Sequence, residues 1–371
     1  MNHIDEFMIH QFRGMRDLKL EGLGRINLLV GNNNSGKTSV LEALSIFCDS
    51  LNWRRWSNVA SAREVGGIYS LSQSERLTWL FPQGEEYTNH DSSTANPEIS
   101  LSASGSFHVK DVSAHYECFT EIVQTKFPRS GEGEASEERE REVESIKINV
   151  SSSVQTSPST NEVLKETFIF PINRALPPVR RPEIAVLPAQ IINPSSHRLG
   201  NTPSQLWTDV INAETKSDAI KLLRSFDPDI QDIDIIIGPA ERPIVSIKHK
   251  KLRRAPLSTF GDGLRRIFTL ATAIPGVREG LLLVDELETA IHTGALEKTF
   301  DWLVRACIQN KVQLFATTHS LETVDAILNV IGENIELVAY RLHKDENTII
   351  VTRFNKQLLS QLRKELGLEV R

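Results

Sequence analysis

The chain has 371 residues, 40% of them hydrophobic and 24% charged, so it can bury a sizeable core and is not a disordered polymer. Its 42 Lys and Arg against 48 Asp and Glu leave a net charge of −6, which excludes a global positive field for nucleic acid and confines any such contact to a local patch. Three cysteines, Cys48, Cys118 and Cys307, lie far apart, which argues against a disulfide framework or a zinc knuckle and fits a reducing, cytoplasmic setting.

The length allows two domains, or one large domain carrying an inserted lobe. Residues 1–6 are polar, with no apolar stretch followed by a cleavage site, and apolar runs such as 280–284 are too short to cross a bilayer. No membrane partner is expected. Residues 7–10 and 18–20 read as short strands around a turn at Arg13 and Gly14, and residues 26–30 as a fully buried strand. That strand runs into a glycine loop. A helix over 38–47 follows, with Val40, Leu41, Leu44 and Phe47 at helical spacing.

Residues 50–185 have a different texture. Short, Ser-rich, alternating segments at 98–102, 106–109, 145–150 and 167–170 predict an antiparallel β lobe. Inside it, residues 131–144 hold seven Glu and two Arg, which predicts a solvated, mobile acidic loop, or else a charged tip or a short exposed helix. Residues 201–226 read as helical, 233–237 and 244–247 as strands, and 257–330 as alternating strand and helix. Residues 336–353 predict a hairpin, and a short helix through Leu358, Leu362 and Leu366 follows.

Gly31, Asn32, Asn33, Asn34, Ser35, Gly36, Lys37 and Thr38 fit G-x-x-x-x-G-K-[ST], between a buried strand and a helix that continues with Ser39. Glycine lets backbone N–H groups turn onto phosphate oxygens, and the helix N-terminus adds partial positive charge. Lys37 is expected on the β and γ phosphates of ATP, and the Thr38 hydroxyl on Mg²⁺. Residues 281–284 form an apolar strand ending in Asp285 and Glu286. Two such charges need a cationic partner, and Mg²⁺ supplies one. Asp285 is expected to hold the metal and Glu286 to polarise the attacking water. The long separation of Lys37 from Asp285 predicts a nucleotide-binding core interrupted by a lobe. The triphosphate would lie at the tip of one strand, beside a neighbouring strand's acidic end.

Ser258, Gly261, Asp262 and Gly263 precede an apolar helical stretch and could form a second anion-binding nest, or an ordinary helix start capped by Ser258 or Thr259. A second nest makes most sense over the γ-phosphate of a partner subunit. His319 ends another buried strand, placed either to sense the γ-phosphate or as a hydrogen-bonded structural histidine.

The order of these motifs resembles the ABC-type ATPases of the SMC, RecF and OLD group, above all the stand-alone OLD-like ATPases labelled AAA, many of which serve in bacterial defence against phage. The resemblance covers residues 1–50 and about 200–371, and Phe12, Arg13 and Gly14 look like that group's N-terminal hairpin. It implies an α/β P-loop fold, an ABC-type ATPase head made of 1–50 and 200–371, with 51–199 as an inserted β-rich lobe. It implies Lys37 and Thr38 as the Walker A pair and Asp285 and Glu286 as the Walker B pair. Ser258, Gly261 and Gly263 would be a signature acting in trans, 288–292 the D-loop region, and His319 the switch histidine. Thr259 and Phe260 interrupt the usual Leu-Ser-Gly-Gly form, and Gln190 is a candidate Q-loop residue. There are no long heptads of an SMC arm. No room follows for a Toprim nuclease, so a nuclease is expected on another chain.

The implied function is ATP hydrolysis with ATP-dependent dimerisation, as the ATPase or sensor of a defence system with a separately encoded effector. The alternatives are a RecF-like repair ATPase and a slow-turnover scaffold holding a toxin or nuclease. DNA contact would fall to Trp53 to Trp56 with Arg54 and Arg55 between them, to Arg180 and Arg181, or to the basic run 248–254.

Overall fold

The computed structural model describes the chain except residues 1, 64–70, 84–96, 128–136, 171–181, 199–206, 209, 212–214, 238–242, 346–347 and 371. In chain order the strands and helices begin with β1 (Glu6–Phe12), β2 (Met15–Leu20), β3 (Ile26–Val30), α1 (Lys37–Cys48), α2 (Trp53–Ser61) and α3 (Gln73–Thr78). Four strands follow: β4 (Glu98–Ser104), β5 (Val109–Phe127), β6 (Glu137–Ser157) and β7 (Thr160–Phe170). Next come β8 (Ala189–Ile192), α4 (Lys216–Arg224), β9 (Ile230–Ile237), β10 (Pro243–His249), β11 (Arg253–Pro256) and α5 (Asp262–Gly276). The chain closes with β12 (Leu281–Val284), α6 (Leu296–Gln309), β13 (Gln313–Thr318), α7 (Leu321–Val330), β14 (Leu337–Asp345), β15 (Thr348–Asn355) and α8 (Lys356–Ser360).

Three sheets carry these elements. One runs β15-β14-β3-β13-β12-β8 and is parallel except for the β14–β15 hairpin. Its inner strands are buried on both faces, as a parallel sheet covered on both sides requires. Along β3, Leu29 joins the core under the antiparallel sheet, while Ile26, Leu28 and Val30 pack on the other side. The α1 helix is wedged between the parallel sheet and β1 and β5, so residues 39–48 are buried all round. On the opposite face, α5, α6 and α7 close the second core. A small sheet, β11-β10-β9, packs with α4 and α5 around Trp207 and Phe268.

The third sheet runs β2-β1-β4-β5-β6-β7, all antiparallel. The strands at 7–10 and 18–20 were expected in the nucleotide-binding part. They lie in β1 and β2, and β1 pairs with the lobe's β4, Phe7 opposite Ala103 and Ile9 opposite Leu101. Conversely β8, counted with the lobe from sequence, lies beside β12, with Ile191 opposite Leu283. The sheets therefore divide the chain differently from the expected 51–199 boundary. The reason is that the apolar alternation of β1 and β4 matches face for face, which specifies their register.

The acidic run also departs from expectation. Residues 137–144 are not a loop: they form the start of β6, paired with β5 from Glu137 opposite Phe127 to Glu144 opposite Thr120. The opposing segment is rich in β-branched residues, and the ladder satisfies the backbone regardless of side-chain charge. Residues 131–136 lie outside the described residues. The terminal helix is shorter than predicted: α8 passes into a π-helical turn at Gln361–Glu365, and Leu359 is buried whereas Leu366 is 64% exposed. Among the described residues no helix is long and apolar enough to cross a membrane.

Candidate active site

The phosphate loop joins β3 to α1. Gly31 has φ 142 and a Cβ there would lie 2.3 Å from the Leu342 carbonyl oxygen; Gly36 caps α1 at φ 93. Both positions demand glycine, on backbone angle and, at Gly31, on space. The Lys37 ammonium donates to the carbonyls of Gly31 and Asn32, each at 2.7 Å. Burial pulls its pKa down, opposed by the carboxylates of Asp285, Glu286 and Glu288.

The acidic end of β12 lies across from this loop, one strand further than expected. β13 stands between β3 and β12 and inserts Thr317 into the gap. The Thr38 hydroxyl lies 3.1 Å from both carboxylate oxygens of Asp285, and the Thr317 hydroxyl donates to Oδ1 at 2.7 Å. Asp285 is 7% exposed, so these hydroxyls and the nearby Lys37 do what water would otherwise do. The Glu286 N–H donates to Thr317 Oγ1 at 2.8 Å, and the Thr289 hydroxyl donates to Glu286 Oε2 at 2.9 Å. Glu286 has φ 47, a left-handed conformation that a non-glycine residue adopts at a cost.

These groups line a cavity of about 540 Å³ with Asn33 to Ser39, Glu42, Arg63, Asn193 to Ser195 and His319. The cavity brings together most of the predicted site: the loop residues 33–39, Asp285, Glu286 and His319. Gly31 and Asn32 stand behind it and receive the Lys37 ammonium. The His319 side chain is 51% exposed. The His319 backbone N–H donates to Glu288 Oε1 at 3.2 Å, and the ring Nδ1 lies 3.5 Å from the same oxygen.

Ser258, Gly261, Asp262 and Gly263 do not line this cavity. Gly261 caps α5 with φ −60, and neither it nor Gly263 has the left-handed backbone of an anion nest, so what the segment presents is a helix N-terminus. Asp262, expected to face phosphate, is instead held by Arg198 Nε at 3.0 Å and Arg265 Nη1 at 3.0 Å, and Arg198 above all pulls its pKa down, opposed by desolvation. Gln190, the Q-loop candidate, sits within β8 and donates to the Ile191 carbonyl; the cavity wall begins three residues later at Asn193.

Sequence reasoning missed four contributors: Thr317, Glu42, Arg63 and Arg266. Glu42 is buried on α1 and accepts from Arg13 Nε at 2.8 Å and from Arg63 Nη2 at 2.7 Å. Only the polar Glu among the apolar residues of α1 could have signalled it.

The expected nucleic-acid patches are largely neutralised. Trp56 is fully buried and donates to the Ser50 carbonyl at 2.7 Å, so it offers no ring face for a base, while half-buried Trp53 meets Phe170 edge-on and carries the Arg54 guanidinium over its ring. Lys251 and Lys250 pair with Asp229, at 2.7 and 3.9 Å, and Arg254 with Asp234 at 3.0 Å. Arg180 and Arg181 lie outside the described residues. Beside that basic turn, Asp227, Asp229 and His249 are grouped closely enough for a metal. His249 Nδ1 accepts from the N–H groups of Lys251 and Leu252, so Nε2 donates to Asp227 at 3.2 Å and the group is satisfied internally.

Comparison with known proteins agrees with this geometry. The chain matches the family described as AAA ATPase domain over residues 3–324. A Helicobacter pylori protein named ATP/GTP phosphatase is 23% identical over 368 residues, covering 89% of each chain. The uncharacterized protein MJECL11 of Methanocaldococcus jannaschii is 30% identical over 112 residues, 30% of this chain and 98% of its own. Among solved structures, an SMC head bound to the C-terminal winged-helix domain of ScpA aligns with a TM-score of 0.50 at 11% identity, covering 95% of this chain and 98% of that one. A family match over most of its length makes this chain a member of the AAA ATPase domain family, and its fold is that of an SMC head.

Proposed function

We propose that the protein binds ATP with Mg²⁺ in the cavity at the phosphate loop and hydrolyses it to ADP and phosphate. One observation carries this reading. Thr38 and Asp285, 247 residues apart, meet at 3.1 Å at the floor of a cavity rimmed by a glycine-anchored loop. A hydroxyl and a carboxylate are hard oxygen donors, the set that suits Mg²⁺. Thr38 and Asp285 would hold the ion, which when bound neutralises charge on the β and γ phosphates.

The remaining chemistry falls to this chain's side chains. Lys37 and the N–H groups at the start of α1 bind phosphate oxygens. Glu286 takes a proton from the attacking water, whose oxygen bonds to the γ-phosphorus as the β–γ bridge breaks and ADP leaves with the electron pair. His319, half-exposed at the rim and held by Glu288, would orient that water or touch the γ-phosphate.

The second part of the proposal is a dimer with shared sites. Gly261 lies outside its own subunit's cavity, and a Cβ added to it meets nothing within 4 Å. The α5 helix start at Gly261, with exposed Ser258 before it, would then face a second copy's γ-phosphate, while Gly263 packs close to the Ala290 carbonyl. ATP would close the dimer and hydrolysis release it. The cellular role, as ATPase or sensor of a bacterial anti-phage system acting with a separate effector, rests on the motif order alone. The relative named as an ATP/GTP phosphatase supports nucleotide hydrolysis and makes GTP the competitor to test.

The test is steady-state phosphate release with Mg²⁺ and ATP or GTP. Release that Lys37→Met abolishes and chelation of Mg²⁺ stops is expected. Wild-type turnover by Lys37→Met would overturn the reading.

A further inference from the structure

The Arg266 side chain is fully buried within α5, yet its guanidinium ends beneath the acidic strand tip. Nη1 donates to the Asn193 carbonyl at 2.6 Å; Nη2 donates to the carbonyls of Asp285 and Glu286 at 2.9 and 3.1 Å. Its Nε is buried with no partner among the described residues. Burial pushes its pKa down to about 10, opposed by Asp285, Glu286 and Glu288. A buried cation that faces main-chain carbonyls rather than one paired carboxylate is a costly way to fill space, since a Met of similar length would pack there without desolvating a charge.

The geometry around Glu286 supplies a use for that cost. Glu286 holds a left-handed φ of 47 where it lines the cavity. Three contacts hold it there: Thr317 on its N–H, Thr289 on its carboxylate and Arg266 on its carbonyl. Arg266 alone grips two successive carbonyls, and so the orientation of the peptide plane between Asp285 and Glu286. The same guanidinium holds Asn193, where the neighbouring strand β8 ends at the cavity beside Asp285.

Taking Glu286 as the base, we propose that Arg266 is a positioning residue. It fixes the strained backbone at Glu286, and with it the carboxylate against the attacking water, and ties the adjacent ends of β12 and β8 to α5. It touches neither nucleotide nor metal.

A double-mutant cycle on kcat, alongside nucleotide affinity from a fluorescent ATP analogue and thermal melting, tests this. Arg266→Met should lower kcat by about 100-fold, the size expected of a misplaced catalytic group, with nucleotide affinity unchanged. Arg266→Lys, which keeps the charge and part of the carbonyl grip, should recover part of the rate. In a Glu286→Gln background Arg266→Met should cost nothing further, because its effect passes through Glu286. Losses that multiply in that background would overturn the proposal, as would weakened nucleotide affinity at unchanged kcat. Should Arg266→Met not fold, the same cycle with Arg266→Lys decides. If Glu286→Gln itself turned over at the wild-type rate, it is the assignment of Glu286 as base that falls.

Discussion

Removing Glu42 should destabilise the protein through one buried cation. Its carboxylate is 1% exposed and accepts from Arg13 Nε at 2.8 Å and from Arg63 Nε and Nη2 at 2.8 and 2.7 Å. The Arg63 side chain is 47% exposed, so water can replace much of what it loses, and its two bonds together contribute at most about 1 kcal/mol. Arg13 is 14% exposed, and burial already pulls its pKa down. Stripped of Glu42 it becomes an uncompensated buried charge, at a cost of about 3 kcal/mol. At roughly 1.3 °C per kcal/mol for a chain this large, Glu42→Ala should melt about 4–5 °C lower. Glu42→Gln keeps the volume and one acceptor and should lose about half as much. Circular-dichroism melts measure both. A Glu42→Ala shift under about 1 °C would refute the claim that Arg13 depends on this carboxylate. Glu42 and Arg63 also line the cavity, so fluorescent ATP titration should show weaker binding in the same variant.

Gly31→Ala forces a Cβ to within 2.3 Å of the Leu342 carbonyl at φ 142, so nucleotide affinity should fall by about 100-fold or more, read by the same titration; wild-type affinity would mean the loop is not the site. Burial pushes the thiols of Cys48 and Cys307 from 9.0 up to about 12, so the folded state holds protons that the unfolded chain gives up. Stability should be unaffected by these thiols below pH 9 and fall between pH 9 and 12, by about 1.4 kcal/mol per unit for each. Denaturant melts across that range, with Cys307→Ala showing the shallower slope, check it. Since Lys250, Lys251 and Arg254 are paired with aspartates, Lys251→Ala should leave single-stranded DNA binding unchanged by fluorescence anisotropy. Tight binding lost in that variant would contradict the pairing argument.

What the sequence disclosed was local and short-range. The phosphate loop is legible because glycine, lysine and threonine at that spacing between a strand and a helix leave little other reading. The apolar run of β12 followed by two acids is legible for the same reason: charge at the end of a buried strand demands a partner. Pairing between distant segments was not legible. Nothing local in residues 6–12 says that they join β4 rather than β3, since both options bury the same alternating face. The strand at 137–144 hides because high charge normally marks a loop, and only its long partner strand makes a ladder there. Arg266 hides because an Arg-Arg pair in a helix reads as a solvated face. Its burial depends on where β8 and β12 end, which is a tertiary fact. Of the two tryptophans read as stacking platforms, Trp56 is ruled out likewise, because α2 turns it into the core.

The shared-site ATPase is tested most directly by light scattering on Glu286→Gln, with and without ATP and Mg²⁺. The account predicts that the variant binds ATP, fails to cleave it and doubles in mass only when both are present, returning to the lighter form once Mg²⁺ is chelated. Unchanged mass together with unchanged nucleotide retention would contradict it.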